Sequence, residues 1–336
     1  MPPYSSSVPR ARRRLRLVLG AAAGALLLGL VPAVRHDAEA MVGEGGPDGP
    51  AGPVGPRLTV ATWNMCGEVA WGCGKYGGGE QKAEALRSLA VDHGVRAVLV
   101  QEACRGDLER ARTGLGADWR LAFQPYAEVD DAGTAAPVDC GDGRGQAGIG
   151  ILAAAPLTDV SPVAAPQPEH GLRRGILCAT ATATATGAGA ASPAAPASPG
   201  TASGGGLRLC VAHLPLPPAD RSDRAAELRD DQLAALLAAG TAGAPGTTGS
   251  VFGGDFNSSP PGQNGRDAWI WPAAYFDTVR ECAQQEPDQR SGFAPTHQNG
   301  LKLDYLFTAL PRHGCHQVDT GSSDHRAELL TVTAAL

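Results

Sequence analysis

The sequence predicts an α/β domain in which strands and helices stack in layers around one composite site. Three observations predict it. Short apolar, β-branched runs of strand length alternate with segments whose apolar residues recur at helical spacing. The polar residues able to do chemistry sit at the ends of those runs or in the turns just after them. One run, Val251-Phe252-Gly253-Gly254-Asp255-Phe256-Asn257-Ser258-Ser259-Pro260, delivers a carboxylate and an amide into a turn. In an extended segment side chains alternate faces, so Asp255 and Asn257 point one way and Phe256 the other, into the core. A lone Gly-Asp-x-Asn is common in turns, where Asp and Asn cap their own backbone, so it marks a site only in the company of others.

The chain has 336 residues and is 43% hydrophobic, which suits one large domain with appendages and excludes wholesale disorder. Residues 1–40 read as a signal peptide or an N-terminal membrane anchor: Arg10 to Arg16 is basic, and Leu17 to Val34 is apolar and uncharged. Ala38-Glu39-Ala40 suits cleavage, while eighteen uncharged residues reach the lower limit for a bilayer span. Either way the domain is expected to be secreted or to stand on the extracellular face of the membrane. Residues 41–56 form a Gly/Pro linker, with Gly46, Gly49, Gly52 and Gly55 each followed by proline, and are expected to be an extended spacer.

Residues 1–40 hold six of the 28 basic and two of the 34 acidic residues, so without them 22 basic stand against 32 acidic, a net charge of −10. A global basic field is excluded, and any polyanion must be held by local arginines and metal. Eight cysteines in an exported chain point to disulfides, with Cys66–Cys73 and Cys282–Cys315 the pairs suggested by proximity. No Cys-x-x-Cys occurs, so a zinc site has little support.

In chain order, Leu58 to Met65 alternates and is expected to be a strand ending on Asn64. Glu80 to His93 is helical, with Ala83, Leu86, Leu89 and Ala90 on one face, and Val95 to Val100 is a buried strand leading into Gln101-Glu102. Asp107 to Leu115 is a short helix. Gly148 to Leu152 and Gly175 to Thr180 are strands, the second preceded by Arg173-Arg174. Residues 181–206 are a low-complexity Ala/Thr/Pro/Gly/Ser insertion without charge. Leu207 to His213 is a strand ending on His213, and Arg221 to Ala239 a helix. Trp269, Trp271 and Tyr275 lie in a loop region, open to two readings: bases stacked on them, or core. Lys302 to Phe307 is a strand bearing Asp304. Ser323-Asp324-His325 precedes a last strand through Val332.

Together the pieces Thr-Trp-Asn-Met, Gln-Glu, Ala-His-Leu, Gly-Asp-Phe-Asn, Leu-Asp-Tyr and Ser-Asp-His, in this order, resemble the endonuclease/exonuclease/phosphatase superfamily typified by deoxyribonuclease I, over about residues 57–336. The resemblance implies a four-layer sandwich: two packed mixed β-sheets flanked by helices. It implies a phosphodiester hydrolase whose metal, Mg2+ with Mn2+ or Ca2+ as alternatives, is held by Asn64, Glu102 and Asp324. It also implies that Asp304 orients His325 to activate water, that Asp255 and Asn257 position water and phosphate, that His213 contacts the phosphate, and that Arg174 lies against it. Phosphodiester hydrolysis asks for the same groups on chemical grounds: a hard cation with oxygen ligands, a base for water, and donors on the non-bridging oxygens.

The chain departs from deoxyribonuclease I in one respect. There the histidine matching His213 leans on a glutamate, whereas Gly145 to Leu152 contains none. Within the superfamily the motifs are most similar to nucleases, so nucleic acid is the expected substrate, with a monomer and no stable protein partner. A secreted sphingomyelinase-like lipid phosphodiesterase or a phosphatase is the alternative, and a catalytically inactive binding module the remote one.

Overall fold

In this computed structural model the described residues are 56–182, 205–218, 227–243, 246–263, 265–334 and 336. Residues 1–40, expected to be an export or anchor segment, most of the expected linker and most of the low-complexity insertion lie outside them. Two six-stranded sheets make the core of the domain. The first contains β1 (Arg57–Asn64), β2 (Val95–Cys104), β3 (Arg120–Pro125), β6 (Ala147–Ala153), β14 (Arg312–Val318) and β15 (Ala327–Thr333), in the order β14-β15-β1-β2-β6-β3. The second contains β7 (Leu157–Pro162), β9 (Gly175–Ala181), β10 (Gly206–His213), β11 (Thr247–Asp255), β12 (Arg280–Glu281) and β13 (Asp304–Thr308), in the order β12-β13-β11-β10-β9-β7. A small third sheet joins β4 (Ala127–Val129), β5 (Ala135–Pro137) and β8 (Gly171–Arg173).

Alternation along the strands builds the layers. Leu58 and Val60 of β1, with Leu99, Ile149 and Ile151, face Leu177, Leu207, Leu209, Val211 and Val251 of the second sheet in one buried cluster. The opposite faces of the same strands turn outward. Trp63, Val98, Val100 and Leu152 pack against Leu86 and Leu89 of helix α1 (Gly79–Val91) and Leu108 of α2 (Arg105–Leu115). Ile176, Ala212 and Phe252 pack against Leu233 and Leu236 of α3 (Arg229–Thr241) and a large aromatic group. The result is the expected four-layer α/β sandwich.

The sequence-predicted elements appear, with shifted ends. The helix expected over Arg221 to Ala239 is seen as Arg229–Thr241, and residues 221–226 of that expectation lie outside the described residues. The strands not expected, β3, β4, β5, β7, β8, β12 and β14, are mostly short or solvent-facing, so their side chains carry no continuous apolar pattern. Trp271 and Tyr275 settle as core: Tyr275 meets Phe307 edge-on at 4.7 Å between ring centroids, and Trp271 meets Tyr305 at 5.3 Å. With Trp271 9% and Tyr275 2% exposed, neither is open to a base. Trp269 packs half-buried against the same cluster.

All eight cysteines pair: Cys66–Cys73 and Cys282–Cys315 as expected, and Cys104–Cys140 and Cys178–Cys210 besides. The last cross-links β9 to β10 at a directly paired position, a contact the sequence separation of 32 does not reveal.

Each six-stranded sheet contains one parallel pair, β1 with β2 and β10 with β11, and otherwise antiparallel neighbours. Both parallel pairs run toward the same end of the sandwich, where Asn64 aligns with Gln101 and His213 with Asp255. Gly254 makes the second pairing possible, since its φ of +140° is disfavoured for other residues and a Cβ there would collide with the Ala212 carbonyl.

Just beyond, Lys302 ties the sheets together. Its Nζ lies 2.9 Å from Glu281 of β12 and also bonds Glu328 of β15, all three side chains being fully buried. Burial disfavours the ammonium, but the two carboxylates outweigh it and raise the lysine above its usual range. Lys302→Met should therefore leave two buried carboxylates uncompensated and cost about 3–5 kcal/mol in urea unfolding. Adding Glu281→Gln and Glu328→Gln should recover most of that loss. A single-variant loss below ~1 kcal/mol would show that the lysine does not hold this junction.

Candidate active site

Strand geometry brings the polar strand ends to one place. Asp255 ends β11 beside His213 at the end of β10 on one side and Asp304 at the start of β13 on the other. From the other sheet, Asn64 at the end of β1 donates through Nδ2 to Asp255 Oδ2 at 2.9 Å. Asn64 Oδ1 accepts the Cys66 N–H at 2.9 Å, so both ends of the amide are engaged. Asp255 Oδ1 accepts the Asn257 N–H at 2.9 Å, and Asn257 Nδ2 donates to the Leu214 carbonyl at 2.9 Å. Burial, partly offset by His325, raises the Asp255 carboxyl above its ordinary value.

Two imidazoles flank Asp255. His325 Nε2 is 4.0 Å from Asp255 Oδ2, and its Nδ1 bonds Asp304 Oδ2 at 2.7 Å. Burial opposes the imidazolium, but Asp304 first, then Asp255 and Asp324, outweigh it and raise His325 to about 10. Asp304 is itself held by the Thr296 hydroxyl, which accepts the N–H groups of Leu303 and Asp304 at 3.0 Å. On the other flank His213 Nε2 is 3.5 Å from Asp255 Oδ2 and 3.9 Å from Glu102 Oε1. Burial, then the charges of Arg174 and His325, push His213 well below its ordinary value, so this imidazole is neutral.

Tyr126, on the turn between β3 and β4, takes the place of the missing glutamate beside His213, as a neutral donor rather than a charged acceptor. Its hydroxyl accepts the Glu102 N–H at 2.9 Å and lies 2.7 Å from His213 Nδ1. Burial keeps the phenol protonated, so its hydrogen goes to Nδ1 and the neutral His213 carries its own hydrogen on Nε2, facing Asp255 and Glu102. Sequence reasoning missed this residue because the partnership joins separate strands, and a tyrosine after Gln124-Pro125 forms no motif.

Glu102 sits at a register shift between β2 and β6 with a left-handed φ of +49°, which turns its carboxylate out of the ladder. Burial first, and then Asp255, raise its carboxyl to about 7. Two further residues escaped the sequence reading. His297 Nε2 lies 3.4 Å from Asp324 Oδ2, and its ring meets that of His325 edge-on at 4.5 Å. This hydrogen bond and the nearby imidazoles outweigh burial and lower Asp324 below its ordinary value. The buried Lys82 of α1 donates to the carbonyls of Met65, at 2.6 Å, and Ser322, holding the turn after β1 against the Asp324–His325 turn. Arg174, between β8 and β9, is half-buried, and its Nε has no hydrogen-bond partner.

The sequence matches the Endonuclease/Exonuclease/phosphatase family over residues 61–325. The chain belongs to that family. Like its members, it is a hydrolase of phosphoric ester bonds. Solved structures share the fold. The human Nocturnin catalytic domain with a bound sulfate anion is 13% identical, with TM-score 0.56, over 82% of this chain and 93% of that one. D. rerio TDP2 complexed with single strand DNA product is 15% identical, with TM-score 0.50, over 82% and 98%. The family protein from Beutenbergia cavernae is 18% identical, with TM-score 0.52, over 83% and 72%. No curated protein matches the sequence.

Enzymes of this family generally depend on a divalent metal, and the donors present suit one. Glu102 has its charge held back by burial and by the facing Asp255 carboxylate, which is the electrostatic state a cation relieves. Cys66 and Cys73, grouped with Glu102, are spent in a disulfide, which leaves Glu102 as the ligand of that group, with the Asn64 side chain in hydrogen-bond reach of it. Among the described residues, no cluster of three His, Cys, Asp or Glu ligands contains both Glu102 and Asp324. Asp324 groups with His297 and His325 instead.

Glu102→Gln and His325→Ala should each lower turnover at least ~100-fold, and near-normal turnover by either would exclude the roles given to them. Tyr126→Phe should lower kcat/KM by about tenfold, because it unties both His213 and the Glu102 turn. An unchanged pH profile and rate in this variant would show that the phenol is only packing.

Proposed function

We propose that the protein is an exported, divalent-metal-dependent endonuclease acting on DNA or RNA. The observation that carries the reading is the convergence on Asp255 of two imidazoles in opposite protonation states, with Glu102 and Arg174 alongside. His213 offers a neutral Nε2–H and His325 a cationic one, so both can donate to the non-bridging oxygens of a phosphodiester seated between them. Arg174 adds a positive charge on the His213 side. Asp304 holds the His325 ring in place and stabilises its charge, as a carboxylate does for an acid–base imidazole. Glu102 and Asn64 would hold a divalent cation, which would supply neutralisation of charge developing on the phosphoryl oxygens and would favour the neutral form of His325 that takes a proton from water.

Four disulfides suit an exported protein. D. rerio TDP2, of the same fold, was captured with a single strand DNA product, in keeping with nucleic acid as the substrate. Mg2+ is the proposed metal, since the donors here are hard oxygens. The protein is proposed to act as a monomer, secreted or displayed on the extracellular face. The substrate is decided by assaying plasmid and RNA degradation beside sphingomyelin and soluble phosphate-ester hydrolysis. Lipid turnover without cutting of either nucleic acid would overturn the nuclease reading and leave the family intact.

Proton and cation compete for Glu102, whose carboxyl titrates at about 7. Below that value the proton wins, so the Mg2+ concentration giving half-maximal activity should fall as pH rises through about 7. Equal half-saturation at about one pH unit on either side would remove Glu102 from the metal site.

A further inference from the structure

Next to the active site the chain makes an exposed, rigidly held aromatic projection. Val69, Ala70 and Trp71 form one 3-10 turn with no buried residue, between the paired Cys66 and Cys73. Val69 is 46% and Trp71 38% exposed, and Trp71 is the one exposed Phe, Tyr or Trp side chain among the described residues. The turn is well anchored. Glu68 is buried and accepts the Ala70 N–H through Oε1 at 2.8 Å and the Gly141 N–H through Oε2 at 3.2 Å, next to the Cys104–Cys140 bridge. Gly72, with φ of +87°, closes the turn by donating to the Val69 carbonyl at 3.0 Å.

A mobile loop can expose a tryptophan by accident, whereas a disulfide-bracketed and side-chain-capped turn holds it exposed at a standing hydrophobic cost. The position says what it meets. The Trp71 ring lies 6.0 Å from that of Tyr126, which lies 5.6 Å from the ring of His213. Trp71 is thus one aromatic contact beyond the residue that orients the phosphate-facing imidazole. Lys75, exposed on the same loop, adds a cation.

We propose that Trp71 is a stacking platform for the unpaired nucleobase adjoining the phosphate held at His213, so that the enzyme acts on single-stranded segments or frayed ends. This rests on the nuclease reading of the same site. Within a duplex both faces of a base are covered by its neighbours, and only an unpaired or terminal base offers a π-face to a tryptophan. A membrane-inserting role would call for a broad apolar face, and this turn offers one aromatic and one valine beside a lysine.

The test uses the full chain with single-stranded oligonucleotides, intact and with the bases next to the cleavable phosphate removed, and with the matching duplex. Trp71→Ala should raise KM on the intact single strand about tenfold with kcat within about twofold, and Trp71→Phe should keep most of the affinity. The wild type should lose about the same factor on the abasic strand, and the two changes together should cost no more than either alone. A duplex cut as well as a single strand, or losses that simply multiply, would overturn the stacking role while leaving the nuclease reading standing. Wild-type protein that cuts no nucleic acid would overturn both. Loss of binding to sphingomyelin-containing vesicles by Trp71→Ala, with unchanged cutting of single strands, would assign the turn to a membrane instead.

Discussion

The hydrogen bond from Asn64 to Asp255 is the contact on which the rest of the site depends, because it joins the ends of the two sheets through a buried carboxylate. Each sheet contributes the end of one parallel strand pair, and parallel neighbours that start level also finish level. The packing of the sheets therefore sets the distance between Glu102 and His213, and between Asp255 and His325. A buried carboxylate is costly unless its lone pairs are used, and here the Asn64 amide and the Asn257 N–H use both oxygens. The polar site thus acts as a structural clasp as well as a chemical one.

Local strain is concentrated where the chemistry is. Cys66, Glu102 and Asn257 are among the few non-glycine residues with positive φ, lying within two residues of the Asn64 and Asp255 strand ends or at the register shift of β2. A left-handed residue there breaks the ladder and turns the following side chain out of the sheet, which a regular strand cannot do. The strain persists because strong local bonds hold it: the Cys66–Cys73 bridge, the Tyr126 hydroxyl on the Glu102 N–H, and Asp255 on the Asn257 N–H.

The two histidines show how environment divides one residue type into two roles. Both are buried beside the same carboxylate, but His325 has a second acid on its other nitrogen and His213 has a phenol. A carboxylate stabilises the imidazolium and a neutral hydroxyl does not, so burial prevails at His213 and is overcome at His325. The neighbour across the ring, more than the depth of burial, decides which imidazole carries charge.

Periodicity and the order of the motifs were enough to read an α/β sandwich, because alternating apolar residues mark the core face of each strand and the polar residues that interrupt them mark its end. Asn64, Glu102, His213, Asp255, Asp304 and His325 were all legible in that way. So were two of the four disulfides, whose partners were guessed from nearness along the chain. Tyr126, His297, Lys82 and the exposure of Trp71 were not legible, and Trp271 and Tyr275 proved to be core. These depend on which side chains meet across strands far apart in sequence, and on which aromatic ring is left over once the sheets have packed. A single chain's pattern records the period of a strand but not the identity of its neighbour. The chemistry was therefore written in the sequence, whereas the protonation of each group and the shape of the rim around it were decided only by the tertiary structure.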